Sequence, residues 1–163
     1  MRGESGFMRP PAGKVCAMPS EHPHGKVMPM SIPFWKMHGA GTDFILVDDP
    51  ALAFPARDSA WIARLCDRRR GIGSDGLLLI QPSASADFRM RFFNPDGAEA
   101  DLCGNGARCL ARLAREIGAA PADMRIETAA GPVRAEIFPA GIRLHLPPPK
   151  DWRMNLSIAW KKQ

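Results

Sequence analysis

The sequence lacks the features that mark several classes of protein. No apolar run approaches the roughly 18 residues that a membrane-spanning helix needs, and the N-terminus has no apolar core of the kind found in secretion signals. No two of the four cysteines form a C-x-x-C pair, and no histidine joins them at the spacing of a zinc site. These absences predict a cytoplasmic protein with reduced thiols, no membrane contact and no metal.

Positive charge is in modest excess and is spread along the chain. Lys and Arg number 22 against 17 Asp and Glu, a net charge of +5, which suits an anionic partner such as nucleic acid or a small carboxylate. The densest basic run, residues 68–70, has only three arginines, which favours a solvated helix end over a nucleic-acid surface. Hydrophobic residues make up 45% of the chain, so we expect one globular domain.

Composition divides the chain into three regions. Residues 1–30 carry Pro, Gly, His and charge without apolar periodicity, which predicts a disordered tail or a spurious leader, with Met28 or Met30 as the true start. Residues 31–150 carry the regular apolar patterns and are expected to fold. Residues 151–163 have no clear partner within the chain.

The patterned region predicts short strands and two helices, which is an α+β fold. Strands are expected at residues 32–39, 44–50, 77–80, 87–94, 124–131, 133–139 and 141–147. Apolar residues at helical spacing predict a first helix at 56–69. The second helix follows an Asn-Pro-Asp-Gly turn and ends at Gly118. Its apolar face is formed by Leu110, Leu113, Ala114 and Ile117.

One glycine loop imitates a nucleotide-binding motif. Residues 71–76 spell G-x-G-x-x-G, but the dinucleotide fingerprint requires a strand before the loop and a helix after it. Here the predicted helix precedes the loop and the strand follows, which favours a turn with unusual backbone angles. The loop after His38 offers polar atoms from Thr42 and Asp43, and we expect it too to be a turn, with His38 in a structural role.

The segment Cys103-Gly-Asn-Gly106 stands where the second helix begins. The first N–H groups of a helix have no partner within it, and together with the helix dipole they favour negative charge. The position therefore predicts a thiolate at Cys103, or a substrate carboxylate held by the same N–H groups. A buried structural cysteine would explain the thiol but not the glycines and Asn105 around it. Cys109, inside the helix, is expected to fill space.

Four segments resemble those of diaminopimelate epimerases, in the same order: KMHGAGTDFILVDD, RRRGIGSDGLLL, FFNPDGAEADLCGNGARCLARL and IETAAGPVRAEI. The third is similar to the family's active-site segment. Related proline racemases carry a histidine in the corresponding cysteine-glycine motif, so Asn105 and Arg108 favour the diaminopimelate branch. The resemblance covers residues 32–155 and implies an N-terminal lobe over residues 31–150, with a mixed or antiparallel sheet curled around a central helix.

The resemblance implies a cofactor-independent epimerase that interconverts LL- and meso-diaminopimelate in the synthesis of lysine and peptidoglycan precursors. One cysteine removes the α-proton and a second, on the opposite face, returns a proton. Cys103 is implied as one base, Gly104 and Asn105 as ligands of the reacting centre, and Asn94 as a ligand of the distal end. Thr42 is implied as a second ligand of the distal end, at a position where the family usually has asparagine.

A second departure from the family is Gly76, which stands where some members have a glutamine near the substrate. Both departures concern selectivity for diaminopimelate rather than the cysteine chemistry.

The resemblance also implies a second, similar lobe, which carries the other cysteine and a Glu-Arg pair in the family. Nothing in residues 119–163 offers these groups, so residues 151–163 are expected to begin the connection to a missing lobe. The expected partners are a diamino dicarboxylate substrate and either a complementing C-terminal lobe or a second copy of the chain. The chain alone is expected to be inactive. The alternative is a non-catalytic lobe that binds an amino acid or a partner chain.

Overall fold

A computed structural model describes residues 13–16, 31–148, 154 and 157. Within the region expected to be a tail, Gly13–Cys16 form a short strand that pairs antiparallel with the strand at Ser31–Gly39. The sequence did not predict this strand. The rest of residues 1–30 and nearly all of 151–163 lie outside the described residues, so the tail, the start codon and the connection stay predictions.

Nine strands form one mixed sheet in the described part of the chain. They are β1 (Gly13–Cys16), β2 (Ser31–Gly39), β3 (Thr42–Asp48), β4 (Leu77–Gln81), β5 (Phe88–Phe93), β6 (Glu99–Ala100), β7 (Asp123–Glu127), β8 (Val133–Phe138) and β9 (Gly141–His145). The order is β1-β2-β3-β4-β5-β7-β8-β9, with β6 on β5. The pairs β3–β4 and β5–β7 are parallel, and the other pairs are antiparallel. The α+β prediction is confirmed.

The two helices, α1 (Ser59–Cys66) and α2 (Gly104–Glu116), cover opposite faces of the sheet. Side chains alternate along a strand, so in β3 Phe44 and Leu46 pack with α2 whereas Ile45 and Val47 pack with α1. We call these the inner and outer faces. Helix α2 contacts β2, β3, β4, β5, β8 and β9, so the sheet curls around it as predicted.

Helix α1 is shorter than the predicted 56–69 because an aspartate side chain bounds it at each end. The Asp58 carboxylate caps the start by accepting from the Trp61 N–H at 2.9 Å. Past the last turn, the Asp67 carboxylate accepts from the N–H groups of Arg69 (2.7 Å) and Arg70 (3.0 Å). This local bonding competes with continued helix, and the chain turns away.

Helix α2 follows the predicted pattern. Leu110, Leu113 and Ala114 are buried, and Ile117 is partly buried against the same core. Gly118, with φ of +77°, follows the helix end. No helix among the described residues is long and apolar enough to cross a membrane.

Candidate functional site

Cys103 is the residue that caps the N-terminus of α2. Its backbone is extended (φ −128°, ψ 114°), and its sulfur accepts from the Gly106 N–H at 3.4 Å. Its carbonyl accepts the first helical bond, from the Ala107 N–H at 2.8 Å. The N–H groups of Gly104 and Asn105 precede that bond and so have no acceptor within the helix. A partly exposed sulfur and two main-chain donors therefore share the end of the helix that favours negative charge.

Glycines bring this first helical turn close to the sheet. A Cβ at Gly106 would lie 3.1 Å from two methyl carbons of Leu78. One at Gly39, at the end of β2, would lie 2.9 Å from the Asn105 carbonyl oxygen. Gly104 is different, because a Cβ there would meet only Leu146, at 4.0 Å. Gly39 and Gly106 thus serve packing, and the main chain of Gly104 stays approachable.

A tight turn places Thr42 next to this helix end. Ala40 and Gly41 both have positive φ, 53° and 88°, and Gly39 pairs with Thr42 across them. Two such residues make the hairpin turn whose twist matches that of the flanking strands. Thr42 consequently lies on the inner face, and Asp43 on the outer face.

The structure brings two predicted site residues into contact. The Asn105 side-chain nitrogen Nδ2 donates to Thr42 Oγ1 at 3.1 Å. The Asn105 oxygen Oδ1 accepts from the Arg108 guanidinium. Thr42 and Asn105 are 63 residues apart in sequence, and neither local pattern indicates the other as its partner.

An ionic cluster, formed by Lys36, Asp43, Arg68 and Asp75, lies behind the turn on the outer face. The Asp43 carboxylate accepts from Lys36 and from Arg68, whose Nη2 lies 2.6 Å from Oδ1. The same guanidinium nitrogen donates to Asp75 at 2.7 Å. Arg68, together with Lys36, holds the pKa of Asp43 well below its usual range. The sequence did not reveal this cluster, because its members lie on β2, on β3 and in the connection between α1 and β4.

The main chain at Asp43 is also fixed by Asp75. The Asp43 N–H donates to the Asp75 carboxylate at 3.0 Å, and the Asp75 N–H donates to the Asp43 carbonyl at 2.8 Å. Asp75 belongs to the G-x-G-x-x-G loop, so that loop is the structural turn that the sequence favoured. Its last glycine, Gly76, is packed so closely that a Cβ would lie 2.7 Å from the Phe93 carbonyl oxygen. Any side chain at position 76 would therefore require its neighbours to shift.

The other two cysteines whose side chains are described face the protein interior. Cys109 is 4% exposed and Cys66 is 3% exposed, and Cys109 fills space as predicted. Burial raises the pKa of the Cys66 thiol and raises that of Cys109 to about 11. Both thiols therefore stay protonated near neutral pH.

Asn94 lies just past β5. Its N–H donates to the Ala98 carbonyl and its own carbonyl accepts from the Gly97 N–H, both at 2.9 Å. These bonds hold the turn between β5 and β6, in which Gly97 has a φ of +84°. The contact predicted between the Asn94 side chain and the distal end of the substrate stays a prediction.

A groove of about 670 Å³ lies at another part of the lobe, beside β7, β8 and β9, and is lined by residues that include Glu127, Arg134 and His145. None of the predicted site residues lines it. Among the described residues, no three His, Cys, Asp or Glu side chains are grouped to hold a metal ion. The surface around Cys103 is thus a separate part of the molecule.

The family model for diaminopimelate epimerase matches residues 34–146 of the chain. The diaminopimelate epimerase of Desulforudis audaxviator (strain MP104C) is 50% identical over 111 residues, which cover 68% of this chain and 40% of that relative. The enzyme of Moorella thermoacetica (strain ATCC 39073 / JCM 9320) is 42% identical over 132 residues, which cover 77% of this chain and 47% of the relative. The chain therefore spans less than half the length of either relative.

Solved structures share the fold. A phenazine biosynthesis protein of the PhzF family from Bacillus anthracis matches with a TM-score of 0.53 and 26% identity, over 69% of this chain and 40% of that one. A probable proline racemase from Agrobacterium radiobacter K84 matches with a TM-score of 0.52 and 20% identity, over 69% of this chain and 41% of that one. The second likeness concerns the fold alone. The matched residues 34–146 contain Cys103 and every other predicted site residue. Because this match covers more than half of the chain, the chain belongs to the diaminopimelate epimerase family.

Proposed function

We propose that this lobe supplies one half of the active site of a diaminopimelate epimerase and that Cys103 is one of its two acid–base cysteines. The observation that carries the proposal is the Cys103 sulfur at the N-terminus of α2, within the segment that the family model matches. Of the three cysteine side chains described, this is the one that is not buried. The reaction is the interconversion of LL- and meso-diaminopimelate without a cofactor, in the cytoplasmic synthesis of lysine and peptidoglycan precursors.

The Cys103 thiolate removes the α-proton of the substrate. An S–H bond forms as the Cα–H bond breaks, and the electron pair left on Cα spreads into the carboxylate. The N–H groups of Gly104 and Asn105 bind that carboxylate and stabilise the charge that builds up on it. Asn94 and Thr42 bind the distal end of the substrate.

Inversion requires an acid on the opposite face of Cα, because a proton returned by Cys103 restores the starting isomer. Cys66 packs on the outer face of the sheet, and Cys109 is buried with its pKa raised to about 11. Neither can reach the opposite face of a substrate at Cys103. The second acid is a cysteine on a complementing lobe, and this lobe without it does not epimerise diaminopimelate.

The test is complementation in deuterated water. The chain is mixed with the portion of the Desulforudis audaxviator relative that it does not match, and LL-diaminopimelate is added. We expect conversion to the meso isomer with deuterium at the α-carbon, observed by NMR, and no conversion by the chain alone. Cys103→Ser should lower the rate by about 10²- to 10⁴-fold, the range for loss of a catalytic acid or base.

Cys66→Ala is the matched control, since it removes a thiol from the outer face and should leave the rate of the mixture unchanged. Conversion by the chain alone would contradict the need for a second lobe. Equal rates for Cys103→Ser and the wild-type chain would contradict the role of Cys103.

A second candidate function is a non-catalytic lobe that binds an amino acid or a partner chain. Leu146 favours it, because its side chain is 52% exposed beside Gly104, where a ligand or another chain can cover it. This function predicts that Cys103→Ser still binds diaminopimelate in calorimetry and that no complementing lobe produces turnover.

A further inference from the structure

The side-chain amide of Asn105 is engaged at both ends within the protein. Arginine has five N–H donors and no acceptor, so the atom that faces Arg108 must be the amide oxygen. The amide nitrogen is then directed to Thr42 Oγ1, 3.1 Å away. Because Arg108 offers only donors, it determines which way the amide of Asn105 points.

We propose that Arg108 is a positioning residue, which orients the Asn105 amide so that it ties the β2–β3 turn to the first turn of α2. The proposal rests on the proposed function, since that first turn carries the Cys103 sulfur and the two main-chain donors. Asn105 then has two separate roles. Its main-chain N–H binds the substrate, and its side chain makes hydrogen bonds within the protein.

The β2–β3 turn, to which Asn105 is bonded through Thr42, is itself held in place by several interactions. Thr42 is preceded by the Ala40–Gly41 turn and followed by Asp43, whose main chain bonds to Asp75 in both directions. The ionic cluster holds the Asp43 carboxylate from the outer face. Displacing Thr42 would therefore disturb bonds on both sides of the sheet.

The first turn of α2 is held against the sheet mainly by packing. It approaches the sheet closely at Gly106 and Gly39 and packs against the inner core through Leu102 and Cys103, and packing of this kind has no preferred direction. The Asn105 amide adds one directional hydrogen bond to the sheet, the bond to Thr42, and its bond to Arg108 within α2 orients it for that contact. We therefore expect that breaking the tie leaves the lobe folded and shifts the sulfur and its neighbouring donors.

The experiment compares alkylation of Cys103 by iodoacetate, an anion, with alkylation by iodoacetamide, which is neutral. The ratio of the iodoacetate rate to the iodoacetamide rate reports how well the donors at the helix end bind a carboxylate. Thr42→Val removes the hydroxyl without changing charge and should lower the ratio by about threefold or more, the lower range of coupling between contacting groups. Thr42→Ser keeps the hydroxyl and should restore the wild-type ratio.

A double-mutant cycle tests the part played by Arg108. Arg108→Met should also lower the ratio, and Thr42→Val should have little further effect in that background, because the same tie is already broken. Arg115→Met, at the far end of α2, is the control for the lost charge. Thermal unfolding verifies that each variant is folded.

An unchanged ratio in Thr42→Val, or a double variant whose effect is the product of the single effects, would overturn the proposal. The measurement needs no turnover. A failure of the complementation assay would therefore count against the proposed function and leave the alkylation result standing. An unchanged alkylation ratio would count against the role of Arg108 and leave the proposed function standing.

Discussion

The three cysteine side chains that the structure describes have different surroundings, and these surroundings govern their chemistry. Cys103 is partly exposed at a helix N-terminus, where it accepts a hydrogen bond from the Gly106 N–H. Cys66 and Cys109 are buried among apolar side chains, which favour the neutral thiol. A reagent that attacks thiolates should therefore distinguish Cys103 from the other two.

We predict that iodoacetamide at pH 8 labels Cys103 at least about tenfold faster than Cys66 or Cys109, since the thiolate is the reactive form. Peptide mass spectrometry of the intact chain, with Cys16 replaced by serine, measures the three rates. The pKa of Cys109 is raised to about 11, so its thiolate is scarce below that pH. Cys109 should label quickly only after unfolding. Labelling of Cys66 or Cys109 before Cys103 would contradict the assignment of Cys103 as the reactive thiol.

The place of Cys103 at the head of α2 was predictable because cap residues and glycines act locally. The tie between Asn105 and Thr42 was not predictable, because it joins residues that approach one another only after the sheet has formed around α2. The same holds for Gly39, which resembles an ordinary turn glycine until Asn105 is placed against it. Thus the position of the sulfur was accessible from the sequence, but the side chains that hold its surroundings were not.

At the scale of helices and strands, alternation and turn residues predicted most of the sheet. In β5, for example, apolar and basic residues alternate at first, and Phe88, Met90 and Phe92 are buried whereas Arg89 is exposed. Strands β1 and β6 were missed because they have only four and two residues, too few for a pattern. Helix α1 was predicted too long because the capping by Asp58 and Asp67 depends on side-chain bonds that apolar periodicity does not report.

The ionic cluster joins elements that are distant in sequence, and its removal should weaken their association. We predict that Asp43→Asn lowers the free energy of unfolding by about 2 kcal/mol at pH 7, as expected for hydrogen bonds to a charged group. Urea unfolding measures this value. Asp101→Asn, at an exposed position, is the matched control and should change stability by less than about 0.5 kcal/mol.

The stabilisation contributed by the Asp43 carboxylate should decrease as the pH falls. The pKa of Asp43 is lower in the folded state than the ordinary value of about 3.9, so its contribution is fully present above that value. The contribution is lost as the pH falls below about 3.9, toward the folded-state pKa. The difference between wild type and Asp43→Asn should therefore shrink between pH 4 and pH 2. A constant difference over that range would show that the carboxylate charge is not responsible.

At the scale of the whole lobe, the curled sheet separates the two helices, with one helix on each face. Each parallel strand pair requires a crossover, and the crossover from β3 to β4 contains α1 whereas that from β5 to β7 contains α2. Local patterns located these helices but did not predict which strands would be parallel. The curled sheet was expected from the family resemblance and is confirmed.

Burial in the inner core around α2 should contribute strongly to the stability of the lobe. Leu110 is fully buried there, and we predict that Leu110→Ala lowers the free energy of unfolding by about 2–5 kcal/mol, the range for large-to-small changes in a core. Leu52→Ala is the control, because Leu52 is 62% exposed. Comparable losses in the two variants, measured by urea unfolding, would contradict the described burial of Leu110 in the inner core.

The two residues between β2 and β3 also limit how the lobe can be re-engineered. If one residue were inserted into β3 directly after this turn and the same hairpin geometry were kept, every later side chain of β3 would move to the other side of the sheet. The inserted residue would then take the place of Thr42 beside Asn105, Thr42 would move to the outer face, and apolar groups would be exchanged between the two cores. The spacing from the turn therefore determines which side chains of β3 face α2, and insertions of two residues should be tolerated better than insertions of one.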